Sequence, residues 1–270
     1  MRSTLAWLAV VAGLALPAPA PAQSGAADPP PEALVQGWLD QLYGGDSVGI
    51  WRTEWAGGEL VYGVARRWNL GKPEVFLHIF TPVRFDEMNY LLRERPDARM
   101  ELLYYRSPKL FSRGAKTARV MPTTVPPPLE RLPFVEGLPA LVDVKPPDVA
   151  DFTFTRLPDA RVANRPCRVV EGRPRSAELG FDRVRFSLAN ETGVALETVW
   201  FAGDEILRRV VIEPGDVADY DGRYVAKRFS VERLASATQI YTLSSLRIDP
   251  AFPDVLFTTQ NLKLGHFPSQ

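Results

Sequence analysis

The chain has 270 residues, with 32 basic and 32 acidic side chains and a formal net charge of zero. That balance excludes the net positive charge that nucleic-acid binders use to release counterions, so no nucleic-acid partner is expected. A single Cys excludes an internal disulfide framework and a thiolate metal cluster, and two His leave little for a His-based metal centre.

The first segment reads as an address. Arg2 precedes an uncharged apolar run over 5–16, and prolines at 17, 19 and 21 are interleaved with Ala20 and Ala22. This combination forms a secretory signal over 1–22, with cleavage before Gln23. The apolar run is shorter than the roughly 20 residues that cross a bilayer core. No Cys follows the cleavage point, so a lipid anchor is not expected. Residues 23–31 are small and Pro-rich and are read as a flexible leader. Leu34, Val35, Trp38, Leu39 and Leu42 then recur on one face at helical spacing, and Gly44-Gly45 stops the helix.

Beyond the helix the period changes to 2. Runs rich in Val, Phe, Tyr, Leu and Thr cover 59–68, 74–81, 88–93, 100–106, 152–156, 168–171, 183–188, 195–201, 206–212, 223–231, 238–247 and 256–259. Many short strands without interleaved helices imply an antiparallel sheet. The pairs Arg66-Arg67 and Arg208-Arg209 are expected to be solvated charges on strand faces. The stretch 122–147 holds eight prolines, which forbid a long helix or a central strand. Leu129, Leu132, Phe134, Val135, Leu138 and Leu141 within it are apolar and must cover something. Two readings are open: a loop packed over one end of the sheet, or a lid over a cavity.

Catalytic and metal patterns are weak. Gly45-Asp46-Ser47-Val48-Gly49 matches a nucleophile elbow and His266 could follow it, but that motif needs a parallel sheet that this pattern lacks. A Gly-rich turn out of the helix is expected there. His78 sits in an apolar strand run and His266 near the end, neither with a ligand at metal spacing. Asp216, Asp219 and Asp221 read as a solvated hairpin turn, a Ca²⁺ loop lacking its full spacing. No metal and no cofactor are expected, and Cys167 is read as a buried, unpaired small hydrophobe.

Apolar surface is what remains. Phe76 and Phe80 oppose Val75, Leu77 and Ile79 on alternating faces, and Leu102 and Tyr104 oppose Leu103 and Tyr105. Two apolar faces imply cover on both sides, and a concave apolar cavity is the economical inference. A closed β-sandwich core without a cavity is the alternative.

Several strings carry a family resemblance. They are 166–171 (PCRVVE), 181–188 (FDRVRFSL), 192–201 (TGVALETVWF), 203–208 (GDEILR) and 252–262 (FPDVLFTTQNL). Together with looser agreement over 75–82, 88–92 and 102–105, they resemble the outer-membrane lipoprotein-sorting proteins, the LolA-like periplasmic carriers. The middle departs from the family, with Pro-rich sequence where members carry an acidic helical stretch. The resemblance spans roughly 32–263.

It implies a mainly β, α+β fold: an incomplete antiparallel β-barrel with helices and a lid on its concave face, in a single domain over 32–270 with a Pro-rich insert at 122–147. It also implies a non-enzymatic, monomeric periplasmic carrier that binds lipid or lipoprotein acyl chains and works with an inner-membrane lipid exporter. Strand parity nominates Leu77, Ile79, Tyr90, Leu92, Leu103, Tyr105, Phe186, Leu196 and Trp200 as cavity lining, and Leu103→Arg is expected to weaken lipid uptake with the fold intact. A lipid-free envelope docking module of the same fold and an esterase built on Ser47 are the competing readings.

Overall fold

The computed structural model describes residues 28–69, 72–82, 88–95, 99–105, 120–234 and 236–268. The expected signal over 1–22, and the leader as far as 27, lie outside the described residues. Helix α1 spans Pro31–Tyr43, as the apolar stripe predicts, and opens on a proline whose missing N–H would be unpaired there anyway. The Gly44 N–H closes it on the Asp40 carbonyl at 2.9 Å.

Strands β1 (Ser47–Trp55), β2 (Gly58–Asn69), β3 (Lys72–Thr81), β4 (Asn89–Glu94), β5 (Met100–Tyr105) and β6 (Val120–Thr123) form one antiparallel meander. Strands β7 (Phe152–Val162), β8 (Arg165–Pro174), β9 (Arg183–Ala189), β10 (Ala195–Ala202) and β11 (Glu205–Val211) form a second. A small hairpin, β12 (Val217–Tyr220) and β13 (Arg223–Ala226), turns through Asp221 and Gly222, both at positive φ. This is the solvated turn expected of its aspartates. Strand β14 (Arg228–Arg233) pairs with β11, and β15 (Ser236–Ile248) joins β14 to β1. One 13-stranded sheet results, in the order β6-β5-β4-β3-β2-β1-β15-β14-β11-β10-β9-β8-β7.

Among the described residues the two end strands are not paired with each other, so the barrel is incomplete. It is nevertheless strongly curled. Eight strand spacings separate β2 from β7, about 38 Å if the sheet were flat. Yet Tyr62 and Val64 of β2 line the same hollow as Phe152 and Phe154 of β7.

Both faces are covered, as the doubly apolar strands require. The outer face of the first meander carries Phe76, Leu91 and Leu103 under Leu256, Phe257 and Leu262. These come from a 3-10 turn at Asp254–Phe257 and helix α3 (Thr259–Leu264). The expected strand at 256–259 is therefore replaced by helical structure. The Thr258 hydroxyl accepts the Asn261 N–H at 3.2 Å and caps α3, a local bond that a strand could not use. Phe267 lies over Gly63, where an added Cβ would stand 2.3 Å from the ring. Only glycine permits that approach.

The inner face is covered by the Pro-rich stretch, and topology explains why. Strands β6 and β7 follow one another in the chain but sit at opposite edges of the sheet, so the connection must cross between them. It runs over the inner face, not over one end of the sheet. Its backbone groups find partners within the segment: Leu132 N–H bonds the Pro139 carbonyl, and Leu141 N–H the Glu130 carbonyl, both at 3.0 Å. One turn of helix, α2 (Leu141–Val144), ends it. Leu132, Val135, Leu138, Leu141 and Val144 sink onto β2–β5. At about 2 kcal/mol per buried aliphatic side chain, that contact stabilises the crossing by about 10 kcal/mol before ordering costs. The Tyr90 hydroxyl pins it by donating to the Pro133 carbonyl at 2.6 Å.

Candidate ligand-binding site

Where the crossing segment leaves β2–β5 it does not fill the curl. A hollow of about 190 Å³ remains between α1, the end of the segment and the second meander. Val35, Trp38, Leu39 and Leu42 of α1 form its roof, and Pro139, Val142, Pro146 and Pro147 one side. Phe154, Phe181, Val184, Phe186, Trp200 and Val210 are its floor. The Trp38 and Phe186 rings, both in its wall, lie 5.4 Å apart between centroids. A cavity of about 150 Å³ holds a six-carbon benzene. On that scale this one takes about seven or eight carbons.

Polar bonds hold the C-terminal half of α1. Gln41 donates to the Thr192 carbonyl at 3.0 Å and accepts the Tyr224 N–H at 2.9 Å. The Tyr43 carbonyl accepts the Trp68 indole N–H at 2.6 Å. The N-terminal half is held by apolar packing on β7 and β9, apart from an Asp28–Arg168 pair at 3.4 Å just before the helix.

One end of the hollow is charged. Arg66 and Arg208 line it, and Arg208 is only 1 % exposed. Arg208 donates to Asp143 at 2.6 Å and lies over the Trp200 ring at 4.8 Å. Arg66 donates to the Val144 carbonyl at 3.0 Å and lies over the Tyr43 ring at 4.5 Å. Burial pushes the Tyr43 and Tyr241 phenols up to about 12 and lowers the Arg66 guanidinium.

The sequence expectation of solvated arginine pairs is corrected here. Arg67 and Arg209 do face outward, to Glu74 and Asp254 and to Glu197 and Glu232. Arg66 and Arg208 are inside. Consecutive strand residues point to opposite faces, so two adjacent arginines cannot share one solvated face. That alternation was the signal for the buried pair.

The residues nominated by strand parity separate into groups. Phe186 and Trp200 line the hollow. Leu77, Ile79, Tyr90 and Leu92 share the inner face but lie under Leu132, Val135 and Leu138 of the crossing segment. Leu103 and Tyr105 are on the outer face, in the cluster beneath α3. The β4–β5 register explains the split: Tyr90 opposes Tyr104 and Leu92 opposes Leu102, so the odd-numbered residues of β5 point the other way. Leu196 belongs to a further cluster with Cys167, Val194 and Ile212. Sequence reasoning missed Val35, Trp38 and Leu39, whose stripe it had read without assigning them to a cavity.

Ser47 opens β1, not a turn, and its hydroxyl meets Arg66 at 3.5 Å. The His78 Nδ1 bonds Asn89 at 2.6 Å, a satisfied core histidine. Among the described residues no group of three or more His, Cys, Asp or Glu is placed to hold a metal ion. Cys167 is buried and free, and burial pushes its thiol up.

A DUF1329 family protein from Desulfovibrio piger matches over 86% of this chain and 97% of its own, with a TM-score of 0.71 and 14% identity. A Vibrio parahaemolyticus domain named for outer membrane lipoprotein sorting gives 0.69, again at 14% identity, over 86% and 97%. A LolA superfamily protein from Nitrosomonas europaea gives 0.62 at 12% identity, over 85% and 97%. The fold is LolA-like. At these identities the likeness is one of architecture. A family model described as "Uncharacterized protein" matches residues 133–264, from within the crossing segment to the end of α3. No curated protein matches the chain.

Proposed function

We propose that this protein is a periplasmic carrier of lipid or lipoprotein acyl chains, exported by its cleaved N-terminal signal and supplied by an inner-membrane exporter. The observation that carries the reading is the hollow itself: a space of about 190 Å³ walled by aromatic and aliphatic side chains beneath an amphipathic helix. Its LolA-like fold, shared with a domain named for lipoprotein sorting, supports the same reading.

Each methylene withdrawn from water contributes about 0.8 kcal/mol. Seven or eight of them give about 6 kcal/mol before association costs, so the hollow as it stands grips part of a chain. A myristoyl-length tail exceeds it, and the whole tail enters when the N-terminal half of α1 lifts from β7 and β9. That half is held mainly by apolar contacts, which a bound chain replaces in kind.

The test is native purification of the mature protein, extraction, lipid mass spectrometry, and titration of the delipidated protein with a fluorescent fatty acid. Co-purifying acyl lipid and saturable uptake are expected, and Val210→Trp, which fills the hollow from its floor, reduces uptake with the far-UV spectrum unchanged. Recovery of no lipid together with no uptake overturns the reading, and is the result that a lipid-free docking module would give. Turnover of a chromogenic acyl ester that Ser47→Ala abolishes would establish the esterase instead.

A further inference from the structure

The hollow is mostly apolar, but where Arg66 and Arg208 line it the charges do not balance. Arg208 of β11 stands directly opposite Arg233 of β14 in the antiparallel register. Like charges placed opposite one another on adjacent strands are destabilising, and here one of them is almost wholly buried. Arg66 closes the same end from β2. Among the described residues the carboxylate that meets this group is Asp143 of α2, bonded to Arg208. It is already committed on its other oxygen, which accepts the Ala140 N–H at 2.9 Å. The donor inventory exceeds the acceptors as well. Nε and Nη1 of Arg208, Nε and Nη2 of Arg233 and Nε of Arg66 are buried and meet no acceptor among the described residues. A guanidinium has five N–H donors in a fixed fork that suits carboxylate and phosphate oxygens.

We infer that this end of the hollow is a head-group subsite, and that the cargo is an anionic amphiphile whose carboxylate or phosphate meets Arg208 and Arg66, with Arg233 beside Arg208 adding to the positive charge, while its tail lies against Phe186 and Trp38. The inference rests on the carrier reading above and narrows it to a class of ligand. An apolar pocket alone discriminates poorly between heads, because the tail contributes the same free energy whatever it carries. A buried cationic end supplies the discrimination. A neutral head leaves the arginine donors unmatched, whereas an anionic head completes them with charge-assisted bonds.

The test is calorimetric titration of the delipidated mature protein with dodecanoate, dodecyl phosphate, dodecanol and inorganic phosphate, each below its aggregation limit. Dodecanoate or dodecyl phosphate is expected to bind at least about tenfold tighter than dodecanol. Arg208→Gln brings both anions to the affinity of dodecanol and leaves dodecanol unchanged. Where Arg208→Gln does not give folded protein by circular dichroism, Arg66→Gln, which lines the same end, is read in the same way. Equal binding of the anions and dodecanol overturns the subsite and leaves the carrier standing, as does a variant that weakens all the amphiphiles alike. Inorganic phosphate binding as tightly as dodecyl phosphate overturns the amphiphile, because the tail would then contribute nothing. Binding of none of the four removes the carrier reading and the subsite with it.

Discussion

Replacing Asp143 by Asn tests the charged end of the hollow most directly. The substitution keeps the shape and an acceptor for the Ala140 N–H, but removes the negative charge bonded to Arg208 at 2.6 Å. Arg208 is 1 % exposed and cannot turn to water, and its cross-strand neighbour is a second arginine. Breaking a buried pair by removing one partner costs about 3–5 kcal/mol. A domain of ordinary stability holds about 5–15 kcal/mol, so the loss is a large fraction of the whole. Urea unfolding followed by tryptophan fluorescence should show the midpoint falling with the slope unchanged. Adding Arg208→Leu to Asp143→Asn should restore at least half of the loss, since an apolar side chain in place of a buried ion is close to neutral. Dodecanoate should raise the melting temperature of Asp143→Asn more than that of the wild type, because the ligand then supplies the missing charge. A loss below about 1 kcal/mol for the single substitution, or a double variant no more stable than the single, would refute the reasoning.

Other outcomes follow from particular contacts. Gly137 has φ +89° and an added Cβ would meet the Trp55 ring at 2.3 Å, so Gly137→Ala should cost about 1–3 kcal/mol and speed proteolysis within the crossing segment; wild-type protease resistance would contradict this. Leu103→Arg places a charge among Leu256, Phe257 and Leu262, so it should lower stability by about 3 kcal/mol or more in urea. Its effect falls on folding, in contrast to the uptake defect that strand parity suggests, and an unaltered urea midpoint would argue against the outer-face placement. The phenols of Tyr43 and Tyr241 are pushed up to about 12, and that of Tyr62 well above its ordinary value, all first by burial. Because the folded state favours the neutral phenols, their contribution is complete below pH 10 and lost as pH rises towards 12. Tyrosinate absorbance should therefore show a late group that ionises with alkaline unfolding, and titration of all eight tyrosines together near pH 10 would contradict it. Cys167 should react with a thiol reagent only as the protein unfolds, and rapid labelling in native buffer would show the site to be open.

The residues alone determined much of this protein. Period-2 patterning marked most of the strands, and the stripe from Leu34 to Leu42 marked α1. The doubly apolar strands such as β3 and β5 required cover on both faces, which the crossing segment and α3 provide. These are local properties, set by side-chain alternation and turn chemistry within a few residues.

Tertiary structure decided the rest. Which residues of β4 and β5 share a wall depends on pairing register, and this separates Leu103 from Leu92. The Pro-rich stretch crosses the inner face because β6 and β7 end at opposite edges of the sheet, a fact of strand order that no run of sequence carries. Arg208 and Arg233 face each other because β14 returns beside β11 after the β12–β13 hairpin, and Asp143 reaches Arg208 from 65 residues away in the chain. The hollow is the sum of these long-range placements. A cavity is the space that packing leaves between distant segments, and only the assembled sheet fixes where that space lies and which charges border it.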